Sequence, residues 1–423
     1  MPDWSILYKN SCQRHSGFIP TASTVYPKPY PQTGVRMKVR LPLLVSGLGV
    51  AQIISWGSLY YPISVLGESM QRDLGVTPTL LFAAFTVSLL ISGMVAPAVG
   101  RLMEARGARL VLCMGSLLGM GALVIMAFAS GPLSLFAGAA IAGIAMAACL
   151  YDAAFMALNQ LAGDAYRRSV TGLTLFGGFA STVSWPLSQL LLDLVGWRQT
   201  LMLYAALQLV ICLPLHALLL PARVRAGVPR ASHPVAAPVL PDTRMLATAF
   251  ALATFVLAVL SVHLIGIFRL SGMEAGSTVL VATLVGPMQV LGRLLELGAG
   301  KKLRAIHVGT VAFASMVLAL SVLLLLRGAT PLAVVAACLY GIGNGLMTIV
   351  RGVVPAELYG RQDYGILLGK LARPAFVARA LAPFAFPLLL AAAGPRVALL
   401  ALVAIAIAAC WSYRMALLQA RRG

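Results

Sequence analysis

Charge is scarce in this sequence, and negative charge scarcest. Twelve Asp and Glu stand in 423 residues, and charged side chains make up 10% of the chain, where a soluble domain carries about a quarter. So few charges cannot clothe a water-soluble surface of this size, which excludes a soluble globular fold. The six cysteines (Cys12, Cys113, Cys149, Cys212, Cys338, Cys410) are scattered, mostly in apolar segments, with neither the paired spacing of a metal site nor a small secreted framework. They are expected to be free thiols. No Gly-x-x-x-x-Gly-Lys-Ser/Thr loop occurs, so a nucleotide-driven pump is excluded. No Gly-x-Ser-x-Gly, no His-Glu-x-x-His and no pair of intramembrane aspartates occurs either, which leaves an intramembrane enzyme without its chemistry. The sequence calls for no cofactor and no metal.

What is abundant is apolar surface. Hydrophobic residues are 60% of the chain and the mean hydropathy is +0.91, more than one core can hide. In lipid the backbone must satisfy its own polar groups, so only helices or a closed barrel can span, and long unalternating apolar runs exclude the barrel. The fold class is therefore all-α: a polytopic membrane protein. Windows of about 20 apolar residues fall near Leu41 to Gly67, Thr79 to Val99, Leu110 to Ala129, Leu133 to Leu158, Val170 to Val195 and Thr200 to Leu220. Six more fall near Met245 to Phe268, Ser277 to Leu297, Ile306 to Leu326, Leu332 to Val354, Tyr364 to Ala393 and Val397 to Met415. The expected division is a disordered or non-native extension (1–36) lacking the apolar stretch of a secretory signal, a six-helix bundle (37–220), a Pro- and Arg-rich linker (221–244) and a second six-helix bundle (245–423). Met37 opens Met-Lys-Val-Arg directly before the first window and is the expected natural start.

The formal charge of +20 sits in short segments between apolar runs, so it reads as a topology signal and not as a nucleic-acid surface. One set of loops holds Lys38, Arg40, Arg101, Arg106, Arg109, Arg167, Arg168, the linker arginines, Lys301, Lys302, Arg304 and Arg361. The other holds only Arg72, Arg198, Arg269, Arg327 and Arg396. The positive-inside rule then puts both termini and the linker in the cytoplasm. The halves also repeat. Gly100-Arg101-Leu102-Met103-Glu104 after the second window reads like Gly292-Arg293-Leu294-Leu295-Glu296 at the end of the eighth, and Asp152 and Asn159 fall opposite Asn344 and Arg351.

The stretch Gly100 to Arg109 (Gly-Arg-Leu-Met-Glu-Ala-Arg-Gly-Ala-Arg) resembles the loop between helices two and three of the major facilitator superfamily (MFS). Glu104 stands where that family usually has Asp, and Ala105 where it usually has Arg or Lys. The resemblance implies a secondary transporter of two pseudo-symmetric six-helix bundles, resident in the bacterial cytoplasmic (inner) membrane. It also implies a gating loop of Gly100, Glu104, Arg106, Gly107 and Arg109, in which the acid sits against the positive end of a neighbouring helix. Trp56-Gly57-Ser58-Leu59-Tyr60, with Tyr364-Gly365 and Gly369, is similar to the oxalate and monocarboxylate branch, which implies small organic anions.

Ionisable groups at membrane depth are costly and each is a functional candidate. Asp152 can carry a proton or pair with a cation, with Arg351, Lys370 and Arg373 as the cations on helices ten and eleven. Arg379, about fifteen residues into helix eleven, cannot reach a headgroup and is the expected anion ligand. Lys370, Arg373 and Arg351 lie close enough to a helix end to snorkel. Gln52, Trp56 and Tyr60 share one helical face, and Asn344 lies in Gly341-Ile342-Gly343-Asn344-Gly345; with Arg379 these form the expected substrate site. His263 is read as an interfacial polar residue, and Pro186, Pro383 and Pro387 as breaks in corresponding helices.

The expected partners are a small-molecule solute, membrane lipids and protons, with no nucleic acid and no oligomer implied. Two solutes compete: a small organic anion, favoured by the basic imbalance, and a toxic drug or trivalent metalloid, for which Cys113, Cys149 and Cys338 supply soft ligands. A transporter-like sensor is a remote third reading, because no output domain follows the helices.

Overall fold

The computed structural model describes residues 41–222 and 242–420 and is helical throughout them, without strands. Among the described residues, ten helices are long and apolar enough to cross a membrane. Two of them, of 57 and 56 residues, would reach about 85 Å if unbroken, against a hydrocarbon core of about 30 Å. Each is interrupted by a glycine in the left-handed region, Gly196 (φ 81°, ψ 169°) and Gly394 (φ 79°, ψ 170°), where a Cβ would be strained. Each therefore supplies two crossings, and the near-identical turns stand at corresponding places in the two halves.

The described residues thus hold twelve crossings. They are α1 (Leu41–Leu74), α2 (Pro78–Arg106), α3 (Ala108–Ala127), α4 (Pro132–Leu161), α5 (163–195), α6 (197–219), α7 (Arg244–Leu270), α8 (Ala275–Thr283 continued by Val285–Ala299), α9 (Ala305–Leu325), α10 (Thr330–Tyr359), α11 (364–393) and α12 (395–419). The crossings lie where the apolar windows put them. The extension 1–36, the start at Met37 and all but the ends of the linker 221–244 fall outside the described residues.

Two interruptions have no counterpart in hydropathy. α1 is broken at Tyr60–Pro62, where the proline has no amide hydrogen to continue the ladder. α4 is broken at Leu150 (φ −81°, ψ −167°), between segments Pro132–Cys149 and Tyr151–Leu161. The break releases the Cys149 carbonyl, which accepts the Gln52 side-chain amide at 2.7 Å. A neighbouring helix thus satisfies a polar group that lipid could not.

Between helices in lipid, close packing replaces the hydrophobic drive. α2 meets α11 through small residues at both faces: a Cβ on Gly100 would lie 2.1 Å from the Gly365 carbonyl oxygen, and one on Gly369 would meet Ala96 and Pro97. The loops collect at two ends. One, the basic end, holds the α2–α3, α4–α5, α8–α9 and α10–α11 connections. At the other, the Trp197 indole donates to Asp73 at 2.7 Å and Arg198 donates to the carbonyls of Ala127 and Ala129.

Candidate functional site

The hydrogen bonds joining the two halves concentrate at the basic end, and they come in related pairs. Glu104, near the end of α2, accepts the Gly365 backbone N–H at 2.6 Å, in the first turn of α11, whose amides have no intrahelical acceptor and form the positive pole of the helix. Glu296, the corresponding acid near the end of α8, accepts Arg167 Nε at 2.7 Å and Thr171 Oγ1 at 2.5 Å from the first turns of α5. Tyr166 and Tyr364, at the corresponding starts of the regular parts of α5 and α11, gather on the Gly352 carbonyl: the Tyr364 hydroxyl donates to it, and the single Tyr166 hydroxyl proton is shared between that carbonyl and the Tyr364 hydroxyl oxygen at 2.9 Å.

Arg361, in the α10–α11 connection, completes the seal by donating to Asn159 Oδ1 and to the Gly163 carbonyl, both at 2.6 Å. Its guanidinium lies 5.1 Å over the Tyr166 ring. Burial pushes its pKa below the ordinary value, while Tyr166 and Asp164 oppose that shift. Of the loop residues expected to gate, Gly100 and Glu104 make these contacts. Gly107 takes a positive φ of 87° and turns the chain, Arg106 is exposed and Arg109 is partly exposed.

Deeper in the bundle Asp152 faces Arg351 across the halves, with Arg351 Nη2 3.7 Å from Asp152 Oδ2 and both side chains mostly buried. Arg379 lies over the Phe376 ring, 5.6 Å from its centroid, and within electrostatic reach of Arg351. The residue that sequence reasoning missed is Arg293. It is 4% exposed on α8, and its Nε and Nη1 donors are buried without a partner. Side chains lean toward their helix N-terminus. Arg293 therefore leans away from the basic end, and Arg379, on a helix of opposite sense, leans toward it. Both charges act on Tyr61, and the Arg293 guanidinium lies against Gly178 of α5.

Facing them is an aromatic wall from the first half. Trp56 packs against Tyr60 and Tyr151 (centroids 5.1 and 5.4 Å), Tyr60 meets Phe85 edge-on at 5.2 Å, and Tyr151 stacks on Phe155. The Trp56 indole N–H and the Tyr151 hydroxyl are buried without partners. The arrangement is thus three arginines and one carboxylate, with unused donors from both halves. Chemically, it can receive an anion.

The other expected residues are placed elsewhere. Gln52 is fully buried inside the first half, on the Cys149 carbonyl. Asn344 sits where Gly345 presses α10 against the Gln289 backbone of α8. Lys370 and Arg373 are exposed; the ion-pair partner of Asp152 is Arg351. His263 packs beside Phe386. No group of three His, Cys, Asp or Glu able to hold a metal occurs among the described residues. Arg293 and Glu296 did carry a signal: both lie inside the eighth apolar window, where any charge is costly.

The profile of the Major Facilitator Superfamily matches residues 48–369. The chain belongs to the major facilitator superfamily. Its fold is that of the superfamily: a multi-pass, all-α membrane protein that carries a solute by secondary transport and is not an enzyme. Among solved structures, the human organic anion transporter MFSD10 (TETRAN) shares the fold, with a TM-score of 0.67, 14% identity, and coverage of 89% of this chain and 99% of that one. No curated protein matches the sequence.

Proposed function

We propose that this transporter moves a small organic anion, coupled to protons, between Arg293 and Arg379 on one side and the Trp56–Tyr151 wall on the other. The observation that carries the reading is Arg293, a buried guanidinium with two unused donors. Leaving such a charge uncompensated is costly, and a carboxylate matches its planar fork. One solved structure of similar fold is that of a human organic anion transporter, which accords with it.

The lysine and arginine bias supports a cytoplasmic basic end and cytoplasmic termini, in a bacterial inner membrane. The conformation is then sealed on the cytoplasmic side by the Glu104, Glu296 and tyrosine contacts. Transport is rocking of 37–220 against 245–423 about this site. Asp152 is the coupling carboxylate: protonating it removes the charge that holds Arg351 and loosens one bond between the halves.

Thermal stability of the detergent-purified protein with mono-, di- and tricarboxylates, with arsenite and antimonite, and with lipophilic drugs separates the readings. A ligand at about a hundredfold its Kd stabilises by roughly 2.7 kcal/mol. Stabilisation by carboxylates is expected; stabilisation by metalloids or drugs alone overturns the reading. For coupling, Asp152→Asn is expected to keep carboxylate exchange while losing acceleration by a proton gradient. Unchanged acceleration rejects Asp152 as the coupling group.

A further inference from the structure

α11 presents different faces to different neighbours. Gly365, Gly369 and Phe376 meet α2, and Arg379 lies on the inward side described above. The face rotated away from these carries Val377, Leu381, Phe384 and Leu388, all exposed, and at its basic-end extremity Lys370 and Arg373. Beside it α7, α11 and α12 leave a cleft of about 560 Å³, within the usual size range of a ligand site. It is lined by Leu252 and Phe255 of α7, Val377 and Leu381 of α11, Ile405 of α12 and other small apolar groups, with Arg373 as its single charge.

Arg373 stands about 14 Å along α11 from Tyr364, nine residues at 1.5 Å each, so its Cα is below headgroup level while its side chain leans back toward the basic end. Neither Lys370 nor Arg373 has a hydrogen bond or ion pair among the described residues. Two unpaired cations one turn apart, above an apolar trough that opens to lipid, complement a molecule with an anionic head and a hydrocarbon tail. We infer that this cleft is a binding site for an anionic phospholipid, its phosphate held by Arg373 and Lys370 and an acyl chain laid between α7 and α11. The site is separate from the anion site proposed above and does not depend on it.

Native mass spectrometry of the full-length protein released from mixed micelles, with phosphatidylglycerol, phosphatidylcholine or inorganic phosphate added, tests this. Phosphatidylglycerol is expected to be retained in preference to phosphatidylcholine. Retention is expected to fall about fivefold in Arg373→Gln, the loss of one cation near a phosphate, and to recover in Arg373→Lys. Val377→Trp, which fills the trough and leaves both cations, is expected to lose the lipid as well. Equal retention of the two lipids, or an Arg373→Gln variant that holds phosphatidylglycerol as well as the wild type, overturns the proposal. So does displacement by inorganic phosphate alone, which would make the cations a site for a free anion.

Discussion

Replacing Arg293 by Gln separates a ligand-binding arginine from a structural one, because the two roles predict opposite effects on the empty protein. Two unit charges 4 Å apart at an effective dielectric of 20 attract by about 4 kcal/mol, but desolvation takes back part of this. Charge-assisted hydrogen bonds are worth a net of about 1.5–3 kcal/mol, so carboxylate affinity should fall roughly ten- to hundredfold. The empty protein should not lose stability. Nε and Nη1 of Arg293 have no partner to forfeit, and the change removes a buried, uncompensated charge. The assay is a pair of melting curves, with and without carboxylate, together with a titration of each protein. Had Arg293 been one half of a buried ion pair, losing it would cost about 3–5 kcal/mol. An empty variant destabilised by that much, with carboxylate affinity unchanged, would refute the reasoning.

Glu296→Gln weakens the hold on Arg167 and Thr171, so the basic end should open more often. Spin labels on cysteines replacing exposed Arg106 and Gln362, in a background without other cysteines, should report a longer mean separation, and an unchanged distribution rejects the latch. Gly100→Leu places a side chain where the Gly365 carbonyl lies, 2.1 Å from the new Cβ, and the same labels should move apart further because backbone cannot yield as a side chain can. A distribution like that of the wild type would show that the α2–α11 contact does not limit opening.

Much of this architecture is legible from residue order because lipid imposes a simple rule. Each crossing must be a run of about 20 apolar residues, and the twelve windows follow. The acid at Glu104 is legible from its place in the loop that the two halves repeat, and Asp152 and Arg351 are legible as charges at membrane depth, although the repeat register sets Asp152 against Asn344 and only the fold pairs it with Arg351. Three things were not. The breaks at Leu150 and Tyr60–Pro62 depend on backbone torsions that apolar composition does not encode, and only the first explains why Gln52 turns to a carbonyl inside its own half. The facing of Lys370 and Arg373 requires the rotation of α11, which Pro374, Pro383 and Pro387 make uncertain from sequence. Arg293 and Glu296 were hidden by their likeness to the α2–α3 loop: the repeat drew attention to their sequence and away from their depth.

The central claim is that a carboxylate is carried through a site built on Arg293 and Arg379. The most direct measurement is uptake of a labelled carboxylate into proteoliposomes containing the wild type, Arg293→Gln or Arg379→Gln, with an inward proton gradient. Saturable uptake by the wild type that both variants lose, in proteins that remain folded, is the predicted result. Uptake of antimonite or a lipophilic drug in place of carboxylates, undiminished in either variant, would contradict the account.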